Sequence, residues 1–266
     1  MADLVIIFQH VDEFERGARA LRAAGAAFRT VAPPPAVAHV AVPYVVISDE
    51  ARAALYAVLS AGAMIAGQVW HRAPLEGALA DLGPEPPAGA EDPVGRIAIA
   101  LVAPCIAEED HLRLAAQVER DLSPVMPYLN AEVKGGTFNP PGPTFTFMDG
   151  PRLITLFPHR ITIARAREMQ DAWRTLARTR RMVIDLWSRR ATITPSYERR
   201  VKMSALELYS RLPRTNCRHC GEATCLAFAA KLLTGQQRLE KCLPVFGGNR
   251  EDLKQALLDL AAALGL

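Results

Sequence analysis

Leu212-Pro213-Arg214-Thr215-Asn216-Cys217-Arg218-His219-Cys220-Gly221-Glu222-Ala223-Thr224-Cys225, followed by Cys242, holds four of the five cysteines of the chain. The spacing is C-x2-C-x4-C-x16-C. A stretch so rich in thiols is expected to fold around metal and to have little core of its own. Four thiolates at these intervals suit a cubane [4Fe–4S] cluster, which takes one sulfur per iron. Three ligands on one loop can serve one side of the cube, and the distant fourth closes the other. Gly221, without a Cβ, lets backbone N–H groups approach cluster sulfurs, and such hydrogen bonds help to set a reduction potential. Zinc is the rival metal. Structural zinc sites join two C-x2-C knuckles across a spacer of about a dozen residues or more, and here the second knuckle is missing. His219, between two cysteines, reads as a solvent-facing loop residue, because the loop already supplies the thiolates.

Composition limits what surrounds this stretch. The 266 residues are 50% apolar and 22% charged, too apolar for a disordered chain. The net charge of +3 is too small to argue for nucleic acid. No apolar run reaches the ~18–20 residues of a membrane span. Met1-Ala2-Asp3-Leu4 lacks a basic leader region, and the apolar run that follows stops at Phe8. A secretory signal is therefore not expected. A cytoplasmic, reducing location follows as an expectation, in which clustered cysteines point to metal before disulfides.

Upstream of the cysteines the pattern is α/β (α+β). Residues 4–8 form a strand-like run, and residues 12–24 have Phe14, Ala18 and Leu21 at helical spacing before Gly25. Strands are expected at 27–31, 44–47 and 64–70, with a helix over 50–59. That β-α-β-β-α-β order is ferredoxin-like. Residues 74–94, with Gly83-Pro84-Glu85-Pro86-Pro87, read as a linker. A second unit is expected to hold a strand over 96–103, a helix over 108–122 opened by acidic residues, and a hairpin around Asp149-Gly150. A further strand over 160–164 and a long helix over 165–190 follow. That helix places Ala172, Leu176, Thr179, Val183 and Leu186 inward. The predicted organisation is thus two small ferredoxin-like or similar α/β sandwich domains, 1–73 and 95–202, joined by the linker 74–94. A small helical cluster module over 203–266 follows, closed by a helix over 249–264.

Other features carry competing readings. Cys105 reads as a half-buried small residue at a strand end, against a reactive thiol at the start of the helix expected from Glu108. Residues 160–202 contain eleven Arg and one Lys. They form either the solvated side of the long helix or a docking face for an acidic redox partner. Trp173 and Trp187 read as packing residues. No histidine pair has metal-ligand spacing, and no phosphate-binding loop, catalytic triad or nucleic-acid motif is present.

From Leu212 to Pro244 the sequence, with its Cys220-Gly221 and Thr224-Cys225 pairs and its Leu226-Ala227-Phe228-Ala229-Ala230 run, resembles the four-cysteine [4Fe–4S] domain of the corrinoid iron–sulfur protein large subunit. The B subunit of the Rnf electron-transport complex has the same module. The resemblance implies that Cys217, Cys220, Cys225 and Cys242 ligate one low-potential [4Fe–4S] cluster. It also implies single-electron transfer to a redox partner protein, a corrinoid protein or another metalloenzyme. Only 24 residues follow Cys242, so the module is expected without the large domains that follow it in the corrinoid protein. Two alternatives stay open: an accessory or maturation factor delivering cluster or sulfur, and a zinc-bearing interaction protein. No constellation for an enzyme acting on a small-molecule substrate is evident.

Overall fold

A computed structural model describes residues 3–74, 76–106, 108, 110–198, 203–248 and 251–264. Its contacts divide the chain into two units, Met1–Leu122 with Arg152–Ser188, and Ser123–Pro151 with Arg189–Leu266.

The first unit opens with β1 (Leu4–Phe8), α1 (Val11–Ala23), β2 (Phe28–Val31), β3 (Tyr44–Ile47), α2 (Leu55–Ser60) and β4 (Ile65–Trp70). The sheet order is β2-β3-β1-β4 and its pairs are antiparallel. This is the split βαβ arrangement that the element order implies. Leu4, Ile6 and Phe8 of β1 pack with Leu21 of α1 and Val58 of α2. All five residues of β1 are buried, as in a central strand covered on both faces. At Gly67 of β4 a Cβ would stand 1.9 Å from the carbonyl oxygen of Val102, so only glycine allows the two backbones to approach this closely.

The second sheet of this unit has β5 (Ile97–Pro104), β6 (Leu112–Val118), β10 (Arg160–Ala166) and β9 (Arg152–Phe157) in the order β5-β6-β10-β9, all antiparallel. Here a sequence expectation fails. The expected helix over 108–122 is strand β6, in which Leu112, Leu114, Ala116 and Val118 are buried and alternate with Arg113, Ala115 and Gln117. The period is two, not 3.6. The acidic residues that suggested a helix start bind elsewhere: Glu108 pairs with Arg165 and Asp110 with Arg72. Glu109 lies outside the described residues.

The long helix, α4 (Met169–Ser188), begins later than expected. Residues up to Ala166 continue β10, and Arg165 takes a positive φ of 66° where the pairing register shifts. The buried Glu168 carboxylate then accepts the N–H groups of Gln170 (2.7 Å) and Asp171 (2.9 Å). Burial raises its pKa despite those bonds. The predicted inner face is buried at all five positions. Trp173 is fully buried, 5.4 Å from the ring of Tyr44.

The second unit has α3 (Met126–Glu132), the paired strands β7 (Thr137–Asn139) and β8 (Thr144–Asp149), and α5 (Ala205–Arg211), α6 (Cys225–Leu233), α7 (Leu243–Phe246) and α8 (Glu251–Leu264). Asn130 of α3 donates to the carbonyls of Ser196 and Glu198. The turn after α3 meets the turn after α6 through two glycines. A Cβ on Gly135 would stand 2.8 Å from the nitrogen of Gly235, and one on Gly235 would stand 2.9 Å from the carbonyl oxygen of Lys134. The helical part does have a core, contrary to expectation: Leu208, Leu212, Phe228, Ala229, Leu232, Leu239, Val245 and Leu257 are buried together with Cys242. α5, α6, α7 and α8 each contribute apolar side chains to it, and the first three are too short for their sequence patterns to reveal this. The closing helix starts at Glu251; residues 249 and 250 lie outside the described residues.

Candidate metal centre

The cysteine loop hangs between two capped helices. At the start of α5, Ser204 and Glu207 form a capping box. At the start of α6, Thr224 accepts the Ala227 N–H at 3.0 Å. Between them the backbone turns through left-handed positions at Arg214 (φ 56°), Asn216 (47°), Arg218 (62°) and Gly221 (85°). Alternating left-handed residues turn successive N–H groups toward one side, the nest that cradles anions and iron–sulfur centres. Three of these four residues are not glycine, an uncommon state that local contacts must hold in place. One such contact is visible. The Asn216 side-chain oxygen accepts the Cys225 N–H at 2.8 Å, and the Asn216 N–H points at Cys225 Sγ at 3.3 Å.

Each cysteine has a distinct setting. Cys217, Cys220 and Cys225 are half-buried, and Cys242 is buried at the start of α7. Cys225 occupies the first turn of α6. The Cys217 thiol is held below its ordinary pKa by the His219 N–H and then by the Thr215 side chain. Burial pushes the Cys242 thiol up to about 11, and charge on Cys225, Cys217 and Cys220 adds to the rise. The four sulfurs therefore share one electrostatic neighbourhood, in which a cation would reverse the penalty. No three of them lie within 4.8 Å of one another, whereas the carboxylates and ring of Glu108, Asp110 and His111 do.

A second contact set holds the loop to α6. Glu222 is 9% exposed, pairs with Lys231 at 2.7 Å and accepts from Gln237 Nε2 at 2.7 Å. Those partners hold its carboxyl below the usual range. The same Gln237 amide reaches the Cys220 carbonyl at 3.3 Å. The spacing of the cysteines did not reveal this latch, since its partners stand 9 and 15 residues apart. His219 is exposed in the loop, as expected.

The remaining candidates fall away from this site. Cys105 is 7% exposed at the end of β5, where its N–H donates to the His111 carbonyl. The strand β6 replaces the helix whose N-terminus would have activated its thiol. Glu108, Asp110 and His111 form an ion-pair chain with Arg165 and Arg72, so their carboxylates already face cations. The arginines of α4 form neither a solvated side nor a free face. Arg178 pairs with Asp81, Arg180 with Asp92 at 2.6 Å and Arg181 with Glu85 at 2.9 Å, gripping the expected linker.

Comparison with known proteins covers about a fifth of the chain. Residues 212–244 match the family model described as "Putative Fe-S cluster". The chain is 46% identical over 56 residues to the acetyl-CoA decarbonylase/synthase complex subunit gamma of Methanosarcina acetivorans. It is 39% identical over 57 residues to the same subunit of Methanothermobacter thermautotrophicus. It is 44% identical over 54 residues to the corrinoid/iron-sulfur protein large subunit of Moorella thermoacetica. These stretches cover 21%, 21% and 20% of this chain, and in each case 12% of the relative. No solved structure matches. No helix among the described residues is long and apolar enough to cross a membrane. The four-cysteine segment thus matches an iron–sulfur family model, and the chain's likeness to these relatives spans about an eighth of their length.

Proposed function

We propose that Cys217, Cys220, Cys225 and Cys242 hold one [4Fe–4S] cluster and that the protein exchanges single electrons with a partner metalloprotein. The observation that carries this reading is the left-handed loop over residues 214–221. It brings the Asn216 N–H to Cys225 and the His219 N–H to Cys217 within a segment that matches an iron–sulfur family. The donor set fits: the sulfurs are soft ligands in one neighbourhood, with three of them half-buried and one buried. The C-x2-C-x4-C spacing, with no second C-x2-C knuckle, favours the cluster over zinc. Bound here, the cluster supplies a one-electron carrier.

The chain's own residues prepare the site. The Asn216 N–H lowers the charge density at Cys225, and the His219 N–H does the same at Cys217. Burial of Cys242 among Leu239, Val245 and Leu257 shields the fourth position from water. The Glu222–Lys231 pair fixes the loop between Cys220 and Cys225. The relatives' names include a multi-subunit complex and a corrinoid protein, which supports a corrinoid or other metalloprotein as partner. The reading also places the chain in the reducing cytoplasm, where free thiols persist.

Anaerobic purification with iron, sulfide and zinc analysis, and EPR before and after dithionite, tests the reading. About four irons and four sulfides per chain with a signal on reduction are expected. Cys217→Ser, Cys220→Ser, Cys225→Ser and Cys242→Ser should each lose most of the iron, whereas Cys105→Ser should keep it. Colourless protein with zinc, or full iron in all four ligand variants, would end the reading.

A further inference from the structure

The arginines around the cysteines differ from those elsewhere in how they are used. Arg211, Arg214, Arg218, Arg238 and Lys241 are all exposed. Arg214 and Arg218 flank Cys217, Arg218 lies inside the C-x2-C pair, and Lys241 adjoins Cys242. None of the five makes an ion pair with a carboxylate among the described residues, whereas Lys231, on α6, does. Of the nearby carboxylates, Glu207 is engaged in its capping box and Glu222 with Lys231 and Gln237, which leaves Glu240.

Two of these arginines also stand where the backbone disfavours them. Arg214 and Arg218 hold φ values of 56° and 62°. Glycine meets that geometry without a Cβ clash, and asparagine tolerates it better than arginine does. Long cations at strained loop positions, unpaired and facing water, are not explained by packing or by local ion pairs. Strain of this kind clusters at functional loops, held by the contacts around it.

We infer that Arg211, Arg214, Arg218, Arg238 and Lys241 form a basic collar around the cluster-bearing loop that docks the acidic surface of its electron-exchange partner protein. The inference rests on the electron-transfer reading and names the chemistry of the partner. A collar of this sign steers an acidic protein to the edge of the molecule nearest the cysteines, where the electron has the shortest path. Phosphate-rich nucleic acid would meet the same charge, but the aromatic rings of this region, Tyr209, Phe228 and Phe246, pack in or against the helical core and do not form an open stacking platform.

The test uses the anaerobically purified holoprotein and, as probe, a small, strongly acidic ferredoxin reduced beforehand. Electron exchange is followed by stopped flow, and the midpoint potential of every variant is titrated separately. For the native chain, the second-order rate constant should fall at least tenfold as salt rises from about 0.02 to about 0.3 M. Arg214→Glu with Arg218→Glu should lower it at least tenfold at low salt. Arg218→Gly, which removes charge while easing the backbone, should lower it severalfold with no loss of iron. Arg113→Glu, an exposed charge reversal on β6, should leave it unchanged. A rate indifferent to salt and to the collar variants, in a protein whose cluster is reducible, would overturn the docking surface and leave the electron-transfer reading standing. So would a fall that the change in potential fully explains. Displacement of the probe by a single-stranded oligonucleotide, lost in the same variants, would reassign the collar to nucleic acid and overturn the proposal. A native chain with no reducible iron would remove the electron-transfer reading itself, and the docking inference with it.

Discussion

The helix α4 and the cysteine loop are both rich in arginine, and their charges face different things. On α4, Arg178, Arg180 and Arg181 meet Asp81, Asp92 and Glu85, which lie 88 to 97 residues earlier. The Arg181 guanidinium also donates to the Gly83 carbonyl at 3.1 Å. A proline- and glycine-rich segment that lacks helix and strand is thereby held along a helix. At the end of α5 and in the loop that follows, Arg211, Arg214 and Arg218 face water. A local excess of positive charge therefore does not by itself mark a binding face. What separates the two regions is whether carboxylates from elsewhere in the fold have already met the charge, since an arginine in an internal ion pair has less field to offer a partner.

Three substitutions sharpen this contrast, in order of expected size. Asp171→Asn on α4 should cost about 3–5 kcal/mol in denaturant unfolding, because it removes the buried carboxylate charge that Arg152 grips at both oxygens and Arg174 also faces. An effect below about 1 kcal/mol would show that the pair adds little to the fold. Next, Arg181→Ala should cost at most about 1 kcal/mol, because its partner Glu85 is mostly exposed. It should loosen the segment around residue 85 in hydrogen exchange and leave electron exchange with the acidic probe untouched. A change in that exchange rate would erase the distinction between the two regions. Last, Arg218→Gly should raise stability by about 1 kcal/mol or less by relieving a left-handed arginine. Loss of stability there would mean that the Arg218 side chain holds the loop, contrary to its role in the collar.

Legibility in the sequence followed the range of the interactions. The first sheet was readable because its strands and helices each announce themselves over four to thirteen residues, and their order restricts the topology. The inner face of α4 was readable for the same reason. Strand β6 was misread because Glu108, Glu109 and Asp110 suggest a helix start, while the two-residue alternation from Leu112 to Val118 spans only seven residues. The partners that settle it, Arg165 and Arg72, lie far along the chain. In the cysteine segment the thiols were legible and their support was not. Nothing in the spacing shows that Glu222 would be latched by Lys231 and Gln237, or that short helices would enclose Cys242 in a core.

The sequence by itself determined which residues the metal proposal rests on, because thiol spacing within a loop, glycine at a turn and threonine before a helix all act over a few residues. It likewise determined the split βαβ order and the apolar stripe of the long helix. Only the tertiary structure decided which cations stay available to a partner, that Cys105 ends a strand leading into another strand, and that Gly67 and Gly135 stand where backbones touch. Those outcomes depend on groups brought together from distant positions. Their burial and pairing energies exist only once the chain has closed around them.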